Sequence, residues 1–251
     1  MRPFTFIADA LDAEDAQTLT ERARHAESIG VTTFAVPDHL VPMPAPIPYL
    51  STVAAVTERL RLTAFVHNND LRHPAVLAKD LATLDRYSGG RLDVAIGAGW
   101  NKPEYDAIGL PFDPVSTRVA RLAEAVTVLK GCFRDGPFSF DGEHYTITDS
   151  PGLPKPMAPD GPPIIVGGHG KRRTPRLAAQ YAAEFNVGFS AADVVGAQFE
   201  RAHEACDAIG RDPGTLVYSA ALTVCCGRDD AEVARRAAAI GRDLDELRAT
   251  G

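Results

Sequence analysis

Leu62-Thr63-Ala64-Phe65-Val66 is an apolar run, and His67-Asn68-Asn69-Asp70-Leu71-Arg72-His73 after it is polar. Pro74–Arg86 then has helical periodicity, Ser88-Gly89-Gly90 breaks it, and Leu92–Ile96 is apolar again. Strand, loop, helix, turn and strand make one βα unit. Pro74 suits the first turn of its helix, where a missing N–H costs nothing. Short strands that are apolar on both faces belong to a parallel sheet covered by helices.

Outward from this unit the pattern repeats about every thirty residues, the length of a βα unit. Upstream, Phe4–Ala8 reads as a strand. Asp15–Ile29 reads as a helix with Ala16, Leu19, Ala23, Ala26 and Ile29 on one face, stopped by Gly30. Thr33–Val36 is a strand and Leu50–Thr57 a helix. Downstream, residues 100–163 form an excursion. It holds a helix at Arg118–Leu129, a β-hairpin at Pro137–Thr148 around Asp141-Gly142, and a Pro/Gly-rich loop at Ser150–Pro163. The rhythm resumes with strand Ile164–Val166, helix Pro175–Ala183, strand Phe185–Val187, helix Val194–Ile209, strand Leu216–Val224 and helix Asp229–Ala249. The expectation is an α/β fold, a TIM-type (β/α)8 barrel in a single domain over residues 1–251, one βα unit short because no eighth strand is legible. A doubly wound sheet would need a glycine loop after its first strand, and Ala8-Asp9-Ala10-Leu11-Asp12 has none.

The 251 residues carry a net charge of −7, which argues against nucleic acid or an anionic membrane as partner. No apolar run is long enough to span a membrane, and Met1-Arg2-Pro3-Phe4 does not resemble a signal peptide. Cys132, Cys206, Cys225 and Cys226 form no C-x-x-C pair, which points to a reduced, cytoplasmic setting. Cys225 and Cys226 read as packing residues, and His25 and His203 as surface residues.

In a parallel barrel the chemistry sits at the C-terminal strand ends. Asp38-His39 follows the second strand. His39 suits proton transfer near neutral pH, with Asp38 orienting or tuning it. His67 and Asn68 follow the third strand, and an amide there matches the edge of a flavin-like ring. Gly97-Ala98-Gly99-Trp100-Asn101 follows the fourth. Its small residues admit a planar ring, and Trp100 can wall it. Glu104 reads as a helix N-terminal charge rather than an acid. After the fifth strand, Gly167-Gly168-His169-Gly170-Lys171-Arg172-Arg173 precedes a helix with Thr174 as N-cap and Pro175 at its first position. Free backbone N–H groups and crowded cations at a helix N-terminus call for an anion, naturally a phosphate. No metal site is expected.

As an ordered set, several stretches resemble the luciferase-like monooxygenase superfamily, and within it the branch of coenzyme F420-dependent oxidoreductases. They are Val36-Pro37-Asp38-His39-Leu40, His67 to Pro74, Leu81-Ala82-Thr83-Leu84-Asp85, Ser88-Gly89-Gly90-Arg91-Leu92, Gly97 to Asn101, Gly142-Glu143-His144-Tyr145 and Val166-Gly167-Gly168-His169-Gly170. The resemblance implies a cofactor ring at the C-terminal face beside His39. It implies a non-proline cis peptide around Ala64, Phe65 and Val66, and a phosphate on the Gly167–Gly170 loop with Lys171, Arg172 and Arg173 near a charged tail. Some relatives carry glutamate where this chain has Trp100, some carry tryptophan at Met43, and relatives continue into an eighth unit. The implied activity is hydride transfer between the deazaflavin F420 and a small organic substrate. One alternative is a reduced-FMN-dependent monooxygenase on the same fold. The other is a non-catalytic flavin-binding or partner-binding relative. A homodimer is the expected assembly.

Overall fold

The computed structural model describes residues 4–250; Met1–Pro3 and Gly251 lie outside the described residues. The chain divides into two compact units, Met1–Ile165 and Val166–Gly251.

In the first unit, β1 (Ile7–Ala8), α1 (Ala16–Ser28), β2 (Thr33–Val36), α2 (Pro46–Ala54) and β3 (Arg61–Ala64) alternate. The strands pair in parallel, with Ile7 opposite Thr33 and Thr33 opposite Arg61. The third expected strand is split. The Phe65–Val66 peptide is cis, where the resemblance placed such a bond, and β4 (His67–Asn68) continues beyond it. After α3 (Pro74–Tyr87) comes β5 (Val94–Gly97), parallel to β4 with His67 opposite Ile96. Phe34, Ala35 and Val36, Leu62, Thr63 and Ala64, and Val94, Ala95 and Ile96 are all buried, as consecutive residues of strands covered on both faces must be. Leu77, Ala78, Leu81, Ala82 and Leu84 form the buried stripe of α3.

Arg91 shows what the Ser88–Leu92 motif does. Gly89 and Gly90 turn the chain at positive φ. The Arg91 guanidinium then donates to the carbonyls of Ala54, Thr57 and Leu60, closing the C-terminal end of α2. That motif is structural.

The excursion contains α4 (Lys102–Ile108), α5 (Val115–Phe133) and the antiparallel pair β6 (Phe138–Asp141) and β7 (Thr146–Ser150). Helix α4 was expected only as the helix whose first turn holds Glu104, with no extent given. Its seven residues are too few for periodicity to show. Residues between β7 and β8 (Ile164–Gly167) are loop, as expected. The hairpin is held by Glu124 of α5, whose carboxylate accepts the N–H groups of Glu143, His144 and Tyr145 at 2.9, 2.8 and 3.1 Å.

Strand β8 leads into the second unit, where α6 (Arg173–Tyr181), β9 (Glu184–Gly188), α7 (Ala192–Asp207) and β10 (Val217–Ala221) follow. β9 and β10 are parallel, Glu184 opposite Val217. The expected last helix is two helices, α8 (Asp230–Ala239) and α9 (Leu244–Thr250), parted at Gly241, whose φ of +67° ends a helix cleanly. The βα alternation makes this an α/β fold of parallel strands. Among the described residues no eighth parallel strand follows β10. No described helix is long and apolar enough to cross a membrane.

Candidate active site

The end of β2 delivers Asp38 and His39, and the two side chains part company. Asp38 is 4% exposed. Its carboxylate accepts from Arg72 at 2.5 and 3.1 Å and from the Asn68 N–H at 3.1 Å, and lies 3.7 Å from His67 Nδ1. Burial raises the Asp38 pKa, but His67 and Arg72 outweigh it and hold the carboxyl at about 2. Asp38 therefore ties the ends of β2 and β4 together. It is not the orienting partner of His39, contrary to the sequence expectation, because its acceptor positions face Arg72, Asn68 and His67.

That partner is Glu104. His39 Nδ1 lies 2.9 and 3.1 Å from its two carboxylate oxygens. Glu104 stands in the first turn of α4 and is 4% exposed. Asn101, at the N-cap position, spends its amide on Glu104 Oε1 at 2.6 Å instead of capping the helix. A carboxylate only accepts, so the proton sits on Nδ1 and Nε2 is left for chemistry. Reading Glu104 as a plain helix charge is thus corrected. The available signal was a turn of helix after Asn101, which places both residues on one side, but the partner is 65 residues upstream. Trp100 is 71% exposed and stands edge-on to His39, ring centres 5.4 Å apart.

The polar stretch after β3 is a buried network. The Asn68 Oδ1 atom accepts from the Asp70 N–H at 3.1 Å and faces the Tyr105 hydroxyl at 3.1 Å. Asp70 is gripped by Arg121 at 2.8 and 2.9 Å, and Arg121 reaches Asp113 at 2.9 Å. His67 is wholly enclosed, with neither ring nitrogen hydrogen-bonded, and Ala64 is equally enclosed. Neither side chain offers a surface to a ligand, so the expected cofactor contact narrows to Asn68 and to partly open Phe65 and Val66. Tyr145, from the hairpin, meets Asn69 at 3.3 Å and stands edge-on to His73. A cleft of about 310 Å³ lies beside it, lined by Asn69, Arg72, His73, Arg121 and Tyr145 among others.

Gly99 is required where it stands. Its φ is +72°, and a Cβ there would lie 1.9 Å from the Tyr105 hydroxyl and 2.7 Å from Asn68 Oδ1. Arg118, 6% exposed, donates to the carbonyls of Ala98, Gly99 and Asp113 and fixes this loop. The backbone of residues 97–101 is thereby pinned next to His39, Asn68 and Glu104.

In the second unit, Gly167 and Gly168 close β8, and Gly168, with φ +137°, donates to Asn186. His169 Nε2 contacts the Gly188 carbonyl and Ser190 Oγ, at 3.1 and 2.8 Å. Helix α6 begins two residues earlier than expected. Arg172 is its N-cap and Thr174 lies inside its first turn. Thr174 is buried under the glycines, and a Cβ on Gly170 would meet its hydroxyl at 2.5 Å. The cap therefore has no side-chain hydrogen bond, while Lys171 and Arg172 are exposed beside the helix N-terminus. No group of His, Cys, Asp and Glu able to hold a metal occurs among the described residues.

The model of the luciferase-like monooxygenase family matches residues 3–249. The chain belongs to this family. Pyrimidine monooxygenase RutA of Enterobacter cloacae is 36% identical over 174 residues, 67% of this chain and 47% of that protein. The FMNH2-dependent dimethylsulfone monooxygenase of Pseudomonas putida is 39% identical over 114 residues, 45% of this chain and 31% of that protein. This luciferase-like chain thus spans about half, or less, of the curated relatives it matches. In structure it is similar to the coenzyme F420-dependent tetrahydromethanopterin reductase of Methanopyrus kandleri, with a TM-score of 0.80 at 21% identity over 90% of this chain and 68% of that one. At that identity the likeness is one of fold.

Proposed function

We propose that the chain carries the flavin site of a reduced-FMN-dependent monooxygenase acting on a small, uncharged organic molecule. The observation that carries this reading is the His39–Glu104 pair, which joins the end of β2 to the first turn of α4, an imidazole with one nitrogen fixed by a buried carboxylate and the other left over. The donor set suits a flavin. Residues 97–99 are small, Asn68 supplies an amide, and the Trp100 indole stands at the side. The Gly167–Gly170 loop of the second unit, with Lys171 and Arg172, has by itself the chemistry of a phosphate-binding element. Of the two curated relatives described above, one is named as FMNH2-dependent. The pyrimidine and dimethylsulfone of the two names supply the substrate class. FMN therefore replaces F420 as the first reading, since the F420 enzyme shares the fold at only 21% identity.

When bound, reduced FMN supplies the electrons for oxygen activation. The protein's work is to hold and move a proton at His39 Nε2. Glu104 keeps Nδ1–H in place and stabilises the imidazolium, and Asn101 holds Glu104 in turn.

Fluorescence quenching titrations with FMN and with the deazaflavin coenzyme separate the two cofactors. FMN is expected to bind in the micromolar range or tighter, and binding of the deazaflavin alone would reverse the choice. His39→Asn and Glu104→Gln should keep FMN affinity and lose turnover by about 10²-fold or more. Wild-type turnover in both variants would remove the pair from the chemistry. Lys171→Glu with Arg172→Glu should weaken FMN, and unchanged affinity would retire the loop.

A further inference from the structure

The geometry points to Asn68 as an obligate hydrogen-bond donor toward a carbonyl of the bound flavin ring, with Tyr105 as the residue that positions its amide. This rests on the flavin reading above. Asn68 is 7% exposed. Among the described residues both polar contacts of its amide fall on one atom, which faces the Asp70 N–H and the Tyr105 hydroxyl, each at 3.1 Å. A backbone N–H can only donate, so the atom it meets must be the amide oxygen. The NH2 group is then left for something else. The NH2 is not sealed away from solvent, so a ligand oxygen can take the place of water on it.

The lock has several parts. Tyr105 is fully buried, and its hydroxyl also lies 3.0 Å from Asp70 Oδ2. Burial raises its pKa to about 12, so it stays a phenol and keeps its single proton to donate. Arg121 pins the Asp70 carboxylate through two hydrogen bonds, which fixes the backbone N–H that reads the amide. Gly99 leaves the space in which Tyr105 and Asn68 meet. A flipped amide would turn its NH2 on the Asp70 N–H, so the oxygen stays inward. The ligand group that answers an outward NH2 is an acceptor without a proton. On a flavin that is a carbonyl oxygen of the pyrimidine ring and not its N–H.

Asn68→Asp places a second oxygen where the NH2 stood. Its FMN dissociation constant, relative to wild type at each pH, should rise about tenfold at pH 7.5. The ratio should shrink toward one at pH 5 as the acid regains a proton to donate. Tyr105→Phe should weaken FMN about three- to tenfold. In both variants the flavin carbonyl stretch in the infrared difference spectrum should move to higher wavenumber. A merely structural defect would lower the melting temperature without moving that band. An unshifted band in both variants, or a pH-independent ratio for Asn68→Asp, overturns the assignment while FMN still binds wild type. Failure of wild type to bind FMN overturns the flavin reading itself.

Discussion

Asp38 and Glu104 are both buried carboxylates near His39, and their neighbours give them different work. Asp38 is answered by Arg72 and faces His67, and its pKa of about 2 lies below the ordinary 3.8. A carboxyl depressed by folding adds stability that is complete above pH 3.8 and is lost as pH falls through about 2. Asp38→Asn should therefore destabilise the protein at pH 7 by roughly 2 kcal/mol. In urea melts run from pH 7 to pH 2, the gap between wild type and variant should stay constant to about pH 4 and then close. A gap unchanged at pH 2 would show that the loss is one of packing. Glu104 instead meets the partly exposed ring of His39. Sequence reading located His39 because a histidine after a strand is a local signal. It passed over Glu104 because a glutamate in a first helical turn looks the same whether it faces water or a partner 65 residues away.

Among the elements, the regular βα units were the most legible. Period and punctuation agree in them, as at Pro74 and Ser88-Gly89-Gly90. The misread places are those where tertiary contacts set the boundary. Strand β3 stops at Ala64 and β4 starts at His67, a break that no periodicity announces. Helix α6 starts at Arg173 because Thr174 packs beneath glycine and is not free to cap. The hairpin was legible from Asp141-Gly142, but its anchorage was not. That anchorage is Glu124, which takes three N–H groups at once. Glu124→Ala should free the turn. Limited chymotrypsin digestion should then cut after Tyr145 several-fold faster, with little change in far-UV circular dichroism. Equal cleavage rates would mean that the β6–β7 pairing holds the turn unaided. Gly99→Ala should be costlier, since positive φ and the Tyr105 hydroxyl both oppose it.

For the whole molecule, the βα rhythm pointed to an α/β fold and the ordered motifs to the luciferase-like family. Counting units identified the parallel order but gave no view of side chains left outside. Phe4, Phe6 and Ile7, at or just before β1, are 87, 53 and 47% exposed, and in the second unit Val217, Leu222 and Val224 are 47, 46 and 67% exposed. Apolar side chains in such number favour contact with another surface. Sedimentation velocity should show concentration-dependent association, weakened by Phe6→Ser with Ile7→Thr. A monomer at all concentrations would remove the expected homodimer.

The chain has one tryptophan, and it stands edge-on to His39. Its emission is therefore a native optical gauge of that imidazole, since a protonated ring quenches indole light more strongly than a neutral one. Plotted against pH, the intensity of the unlabelled protein traces the charge of one side chain without chemistry having to occur. Plotted against added flavin, the same signal counts arrivals at that spot.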